Sequence, residues 1–87
     1  MYNVHNRPIV DEKFKKLAKK NPKQLEIITK KLQQIMEDPY RFKPLSYGMK
    51  GMGRVHIDKS FVLVYSINEK TKTIILEDYE HHDNIYK

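Results

Sequence analysis

Apolar and polar residues along this chain follow two different periods, and the change of period divides it. Residues 2–7, YNVHNR, alternate, with Tyr2 and Val4 on one face, and predict a short opening strand closed by Pro8. Val10, Phe14, Leu17 and Ala18 then recur at helical spacing. Asp11 and Glu12 mark the start of that helix, because carboxylates stabilise the free N–H groups of a first turn. Asn21-Pro22 separates it from a second helix, with Asn as the cap and Pro at the first helical position. Leu25, Ile28, Leu32, Ile35 and Met36 form one apolar stripe of about four turns, and Pro39 ends it. Two helices joined by so short a link make an antiparallel hairpin.

From Tyr40 the texture changes. RFKPLSYGMKGMG holds Pro44 and all three glycines, Gly48, Gly51 and Gly53, and reads as an irregular basic loop. RVHIDK alternates, with Val55 and Ile57 on one face and Arg54, His56 and Asp58 on the other. Lys59-Ser60 is a tight connection, and FVLVYSI has the mixed burial of a central strand. NEKTK is a hairpin turn, TIILEDY the next strand and EHHDNIYK a tail. The order β-α-α-β-β-β predicts a single domain over residues 1–87. Its class is α+β, a helix hairpin packed on a mainly antiparallel four-stranded sheet.

Composition narrows the function classes. Eighty-seven residues make one domain with a modest core. No cysteine is present, which excludes a disulfide framework, a thiolate metal site and a Cys nucleophile, and suits a reducing interior. No apolar run approaches the ~20 residues that span a bilayer. The residues MYNVHNRPIV lack the apolar core of a secretory signal. A soluble, cytoplasmic protein with no membrane partner is expected. The chain has 17 Lys and Arg against 11 Asp and Glu, a net charge of +6. That field favours polyanions. The excess sits in one segment, at Lys13, Lys15, Lys16, Lys19, Lys20, Lys23, Lys30 and Lys31. A solvated helix face is the competing reading of such a run.

The candidate chemistry lies in the last third. Arg54 and His56 share a strand face, and His82 and Tyr86 follow the last strand, where the tail can fold back over that face. RNA cleavage requires a base for the ribose 2′-OH proton, an acid for the leaving 5′-oxygen and cations for the developing charge. Histidine serves the first two because it titrates near neutrality, and Lys and Arg serve the third. Each residue also has a plain structural reading. His56 alone reads as a surface histidine, Tyr86 as a residue pinning the terminus, and Lys50 and Arg54 as flanks of a glycine loop. His81-His82-Asp83 makes a poor metal cluster, since neighbours on an extended chain point opposite ways, so no metal and no cofactor are expected. Composition and spacing by themselves stop at a basic α+β domain that either handles phosphate on one face or does not.

The element order, the segment KPLSYGMKGMGRVHIDKSFVLVYSI and the ending HHDNIY together resemble the RelE/ParE toxin superfamily, and within it the RelE and YafQ-like ribonucleases. The resemblance covers essentially the whole chain and is sharpest over residues 43–86. Its elements here are Pro44-Leu45, the loop Gly48 to Gly53, Arg54-Val55-His56, Leu63-Val64-Tyr65, and His82 with Tyr86. It implies the toxin of a type II toxin–antitoxin system, a ribosome-dependent endoribonuclease that cuts mRNA in the A site. It also implies partners in the ribosome, its mRNA and a cognate RelB-like antitoxin. The implied catalytic residues are His56, His82, Tyr86 and Arg54, with phosphate held by Lys43, Lys50, Arg54 and His81. The chain departs from the YafQ-like pattern at Lys43, where a His is usual, and at Ser60, where an Asp is usual. The alternatives are a ParE-type toxin that inhibits gyrase without catalysis, and a degenerate module that binds the ribosome or a partner without cutting.

Overall fold

A computed structural model describes residues 1–42 and 52–85. The elements are β1 (Asn3–Asn6), α1 (Pro8–Lys20), α2 (Pro22–Glu37), β2 (Met52–Ile57), β3 (Phe61–Asn68), β4 (Thr73–His81) and α3 (His82–Ile85). The α+β class and the β-α-α-β-β-β order are as expected, with a final helical turn added. The sheet order is β1-β4-β3-β2. Only β1 and β4 are parallel; the other neighbours are antiparallel.

Helix α1 starts at Pro8, three residues before the carboxylates that were expected to open it. Arg7 is extended, and its carbonyl accepts from the N–H groups of Val10 and Asp11 at 3.0 Å each. Pro8 therefore occupies the first helical position, where its fixed φ suits the helix and its missing N–H costs nothing. Asp11 still lies in the first turn and Lys19 and Lys20 in the last, all favourable to the helix dipole. The start of α2 follows expectation. The Asn21 side chain accepts from the Gln24 N–H at 3.2 Å, and Pro22 follows it.

Val10 of α1 and Ile28 and Ile35 of α2 are buried against Val55, Ile57, Leu63, Tyr65, Ile74, Leu76 and Tyr79 of the sheet. Phe14, Leu17, Leu25, Leu32 and Met36 fill the margin. Ala18, counted in the α1 stripe, is exposed. The helix hairpin thus covers one sheet face and not the other.

A bulge decides which residues that other face carries. Val64 pairs with Asp78 but Tyr65 pairs with Leu76, so Glu77 is an extra residue on β4. Strict alternation from Ile74 and Leu76 would turn Asp78 and Glu80 into the core. The extra residue reverses the phase, so Tyr79 is buried and the carboxylates lie outside. Beyond Leu76, β1 no longer covers the edge of β4. Lys13 of α1 reaches round it, donating to the Tyr79 carbonyl at 2.9 Å and to Asp78 at 2.8 Å, with Glu80 at 3.4 Å.

At the end of the molecule that holds the β3–β4 turn, Glu69 ties three segments together. It accepts from Tyr2 Oη at 2.9 and 3.0 Å, from Lys72 Nζ at 2.8 Å, and from Tyr40 Oη. Lys72 first, then Tyr40, hold its carboxyl down at about 2 against an ordinary 4.5. A depressed carboxylate contributes stability that is complete above its unfolded value and lost as pH falls through its folded value. Unfolding in urea should therefore show a stability loss between about pH 4.5 and 2 that flattens in Glu69→Gln. Parallel pH curves for the two proteins would refute this linkage.

Candidate active site

The outer face of the sheet is organised in cross-strand rows. Arg54, Val64 and Asp78 form one row; His56, Val62 and Glu80 form the next. Val62 and Val64 are buried, while Arg54 is half-buried and His56 exposed. The rows therefore have an apolar floor with a cation and an imidazole on one side. On the other side the β4 carboxylates are occupied: Asp78 and Glu80 by Lys13, and Glu77 by Arg7 and Ser66.

The tail closes onto this face through its backbone. The His82 N–H donates to the Ser60 carbonyl at 2.6 Å, which turns the chain at the end of β4 into α3. That hydrogen bond uses main-chain atoms only, so the pattern break at Ser60 does not prevent it. The His82 ring then stacks on His56, with 5.7 Å between centroids and 27° between planes. Two imidazoles from residues 26 positions apart thus meet beside Arg54. Asp83 stands 3.8 Å from the Nδ1 atoms of both His82 and His81, too far for a hydrogen bond from either ring.

Other expected site residues fall elsewhere. Asp58 does not share the face of Arg54 and His56. Strand β2 ends at Ile57, and Asp58 adopts φ 57° in the turn. Its charge acts instead on Tyr79, whose hydroxyl is pushed up to about 12, mainly by burial and then by Asp58. His81 pairs with Phe61 and lies edge-on to its ring, 5.5 Å between centroids, on the face that carries Tyr79. It lies on the face opposite the His56–His82 stack, while sharing Asp83 with His82. Lys43, Lys50 and Tyr86 lie outside the described residues, as does most of the glycine loop. Among the described residues no group of three His, Asp or Glu side chains is placed to hold a metal. None of their helices is long and apolar enough to cross a membrane.

Two features near the site were missed in the sequence. Phe42 lines a cavity of about 240 Å³ with Arg54, Val55 and His56. Tyr65 is fully buried and donates to the Pro39 carbonyl at 2.7 Å, so the central strand holds the segment that leaves α2. Only the pairing of Gly53 with an aromatic across β2 and β3 could have signalled the second.

No protein-family profile matches the chain. It is 56% identical over 86 residues to an uncharacterized protein of Methanosarcina mazei, covering 99% of this chain and all of that one. It is 45% identical over 87 residues to a protein of Methanocaldococcus jannaschii that bears the name toxin RelE4, covering all of this chain and 93% of the relative. The chain belongs to the RelE family of toxins. Solved structures share the RelE fold at low identity. A YoeB/ParE toxin from Agrobacterium tumefaciens superposes with a TM-score of 0.82 at 13% identity, over 92% of this chain and 98% of the other. RelE in the intact Escherichia coli RelBE toxin–antitoxin complex does so with a TM-score of 0.74 at 20% identity, over 93% and 96%. In RelE terms, the His56–His82 stack lies on the sheet face that the helix hairpin leaves uncovered.

Proposed function

We propose that this RelE-family toxin is a metal-independent endoribonuclease that cuts mRNA on the ribosome. The observation that carries the reading is the stack of His56 on His82 beside Arg54, on one strand face. With 5.7 Å between ring centroids, both imidazoles reach one phosphodiester. One imidazole takes the proton of the ribose 2′-OH as that oxygen attacks phosphorus. The other, protonated, delivers a proton to the departing 5′-oxygen. The products are a 2′,3′-cyclic phosphate and a 5′-hydroxyl, with no net uptake or release of protons. Arg54 stabilises the extra negative charge on the phosphorane-like transition state. Lys43, Lys50 and Tyr86 are assigned to the same site by the family pattern alone.

A cognate antitoxin completes the proposal. The net charge of +6 suits an acidic partner. Binding to the folded toxin stabilises a domain of this size by mass action. The RelE structure bound to its antitoxin in the Escherichia coli RelBE complex supports the same arrangement. The cytoplasm, where ribosomes and mRNA are, is the expected compartment.

Primer extension on translated mRNA tests the reading. Purified toxin should produce discrete cuts in A-site codons, ending in 2′,3′-cyclic phosphate, and a 2′-deoxy ribose at the cut should abolish them. Ribosome binding without cuts would leave only a binding module. Loss of gyrase supercoiling without cuts would make it a ParE-type toxin.

A further inference from the structure

The proton transfers assign no role to Phe42, which lines a cavity beside them. Among the described residues the cavity walls are Phe42, Arg54, Val55 and His56. Three of these are consecutive on β2, and successive strand residues point to opposite faces. A cavity touching all three runs along the edge of the strand rather than over either face. Among the described residues β2 is the last strand in the sheet order, and an edge strand presents backbone N–H and C=O groups outward. Phe42, which packs against the margin of the core, forms another wall, and Lys31 Nζ lies over its ring, 5.8 Å from the centroid. An aromatic ring, a row of main-chain donors and acceptors, and flanking cations meet in one slot.

We infer that this slot is a nucleobase subsite, in which an RNA base stacks on Phe42 against the edge of β2 while its phosphate lies at Arg54 and His56. The inference rests on the ribonuclease reading above and adds a substrate contact to it. Size favours one ring system. About 240 Å³ is below the roughly 300–1,000 Å³ of pockets that take drug-sized ligands, so ribose and phosphate remain outside. Stacking accepts any base, because every base has a π-face, and a strand edge adds hydrogen-bonding groups for its rim. Arg54 and His56 serve both places, since they line the slot and belong to the face that carries His82. Phe42 is therefore a substrate-binding residue that holds the nucleotide at the cut by stacking.

The chain contains no tryptophan, so Phe42→Trp introduces a single indole as reporter. The probe is an RNA trinucleotide carrying 2′-O-methyl at every ribose, which binds without undergoing 2′-OH attack; an abasic trinucleotide of equal charge is the control. The base-bearing probe should quench the indole saturably, at roughly 10-fold lower concentration than the abasic one. Independently, Phe42→Leu should raise KM for ribosomal mRNA cleavage about 10-fold with kcat within about twofold, and Phe42→Tyr should restore KM. Superimposable quenching by the two probes, absence of any base-dependent quenching, or an unchanged KM in Phe42→Leu would each overturn the subsite. If the parent protein cuts no RNA, the ribonuclease reading fails by that result alone, and the titration still decides whether a base occupies the slot.

Discussion

Alanine at His82 should lower the proposed mRNA cleavage by about 10²–10⁴-fold while the fold survives. The size follows from removing one member of an acid–base pair. The survival follows from the way the tail is held. The hydrogen bond that turns β4 into α3 runs from the His82 backbone N–H to the Ser60 carbonyl, and alanine keeps it. His82 is half-buried and its ring stacks on an exposed one, so truncation opens no core cavity. His56→Ala should show the same loss, since the proposed mechanism gives each ring one proton to move on the same phosphodiester. The double variant should be little worse than either single one, because groups that work as a unit lose their effect together. Single-turnover cleavage and a thermal melt, run on the same preparations, measure both claims. Parent rates in both single variants would dismiss the assignment of His56 and His82.

Alanine at Gly53 should destabilise the protein more than any other single-methyl insertion at a described position near the site. A Cβ there would lie 2.5 Å from Tyr65 Cζ and 2.6 Å from its hydroxyl oxygen. Gly53 and Tyr65 are cross-strand partners, so the contact is built into the register. The ring has nowhere to go. It is fully buried, and its hydroxyl is fastened to the Pro39 carbonyl at 2.7 Å. Overpacking of this kind costs about 1–3 kcal/mol, occasionally more. In a domain this small, that lowers Tm by about 4–8 °C per kcal/mol. Tyr65→Phe should cost about 1–3 kcal/mol by leaving the Pro39 carbonyl unpaired. Combined with Gly53→Ala it should be less than additive, since the freed ring can shift from the new methyl. Strict additivity in calorimetry, or a Gly53→Ala protein melting with the parent, would refute the clamp.

The helix hairpin and the three C-terminal strands were legible because each carries a sustained period and is bounded by Pro, Asn or a polar turn. What escaped the sequence escaped for local reasons. Pro8 looked like the end of a strand because the same residue that cannot continue a ladder is well suited to open a helix. Glu77 carries no mark of being an extra residue, yet it alone turns Asp78 and Glu80 outward and Tyr79 inward. Asp58 was placed by extending an alternation one residue past the point where its backbone turns to positive φ. At the site, Arg54 and His56 could be read as one face of a strand and the tail as folding back over it, while the main-chain hydrogen bond that seats His82 leaves no sequence trace. Phe42 was hidden because a lone aromatic beside a basic loop has no periodicity. Its significance appears only when the edge of β2 lies next to it.

The parallel pairing of β1 with β4 sets an order of assembly. Residues 3–6 wait for residues 73–76, so the first strand to be synthesised is seated only after the other three strands have been made. The β2–β3 and β3–β4 hairpins close locally and can form earlier, since contacts distant in sequence carry the larger closure entropy. His82 comes later still, beyond the last strand. A growing chain therefore has no His56–His82 pair until residue 82 has been made and β4 has paired with β3.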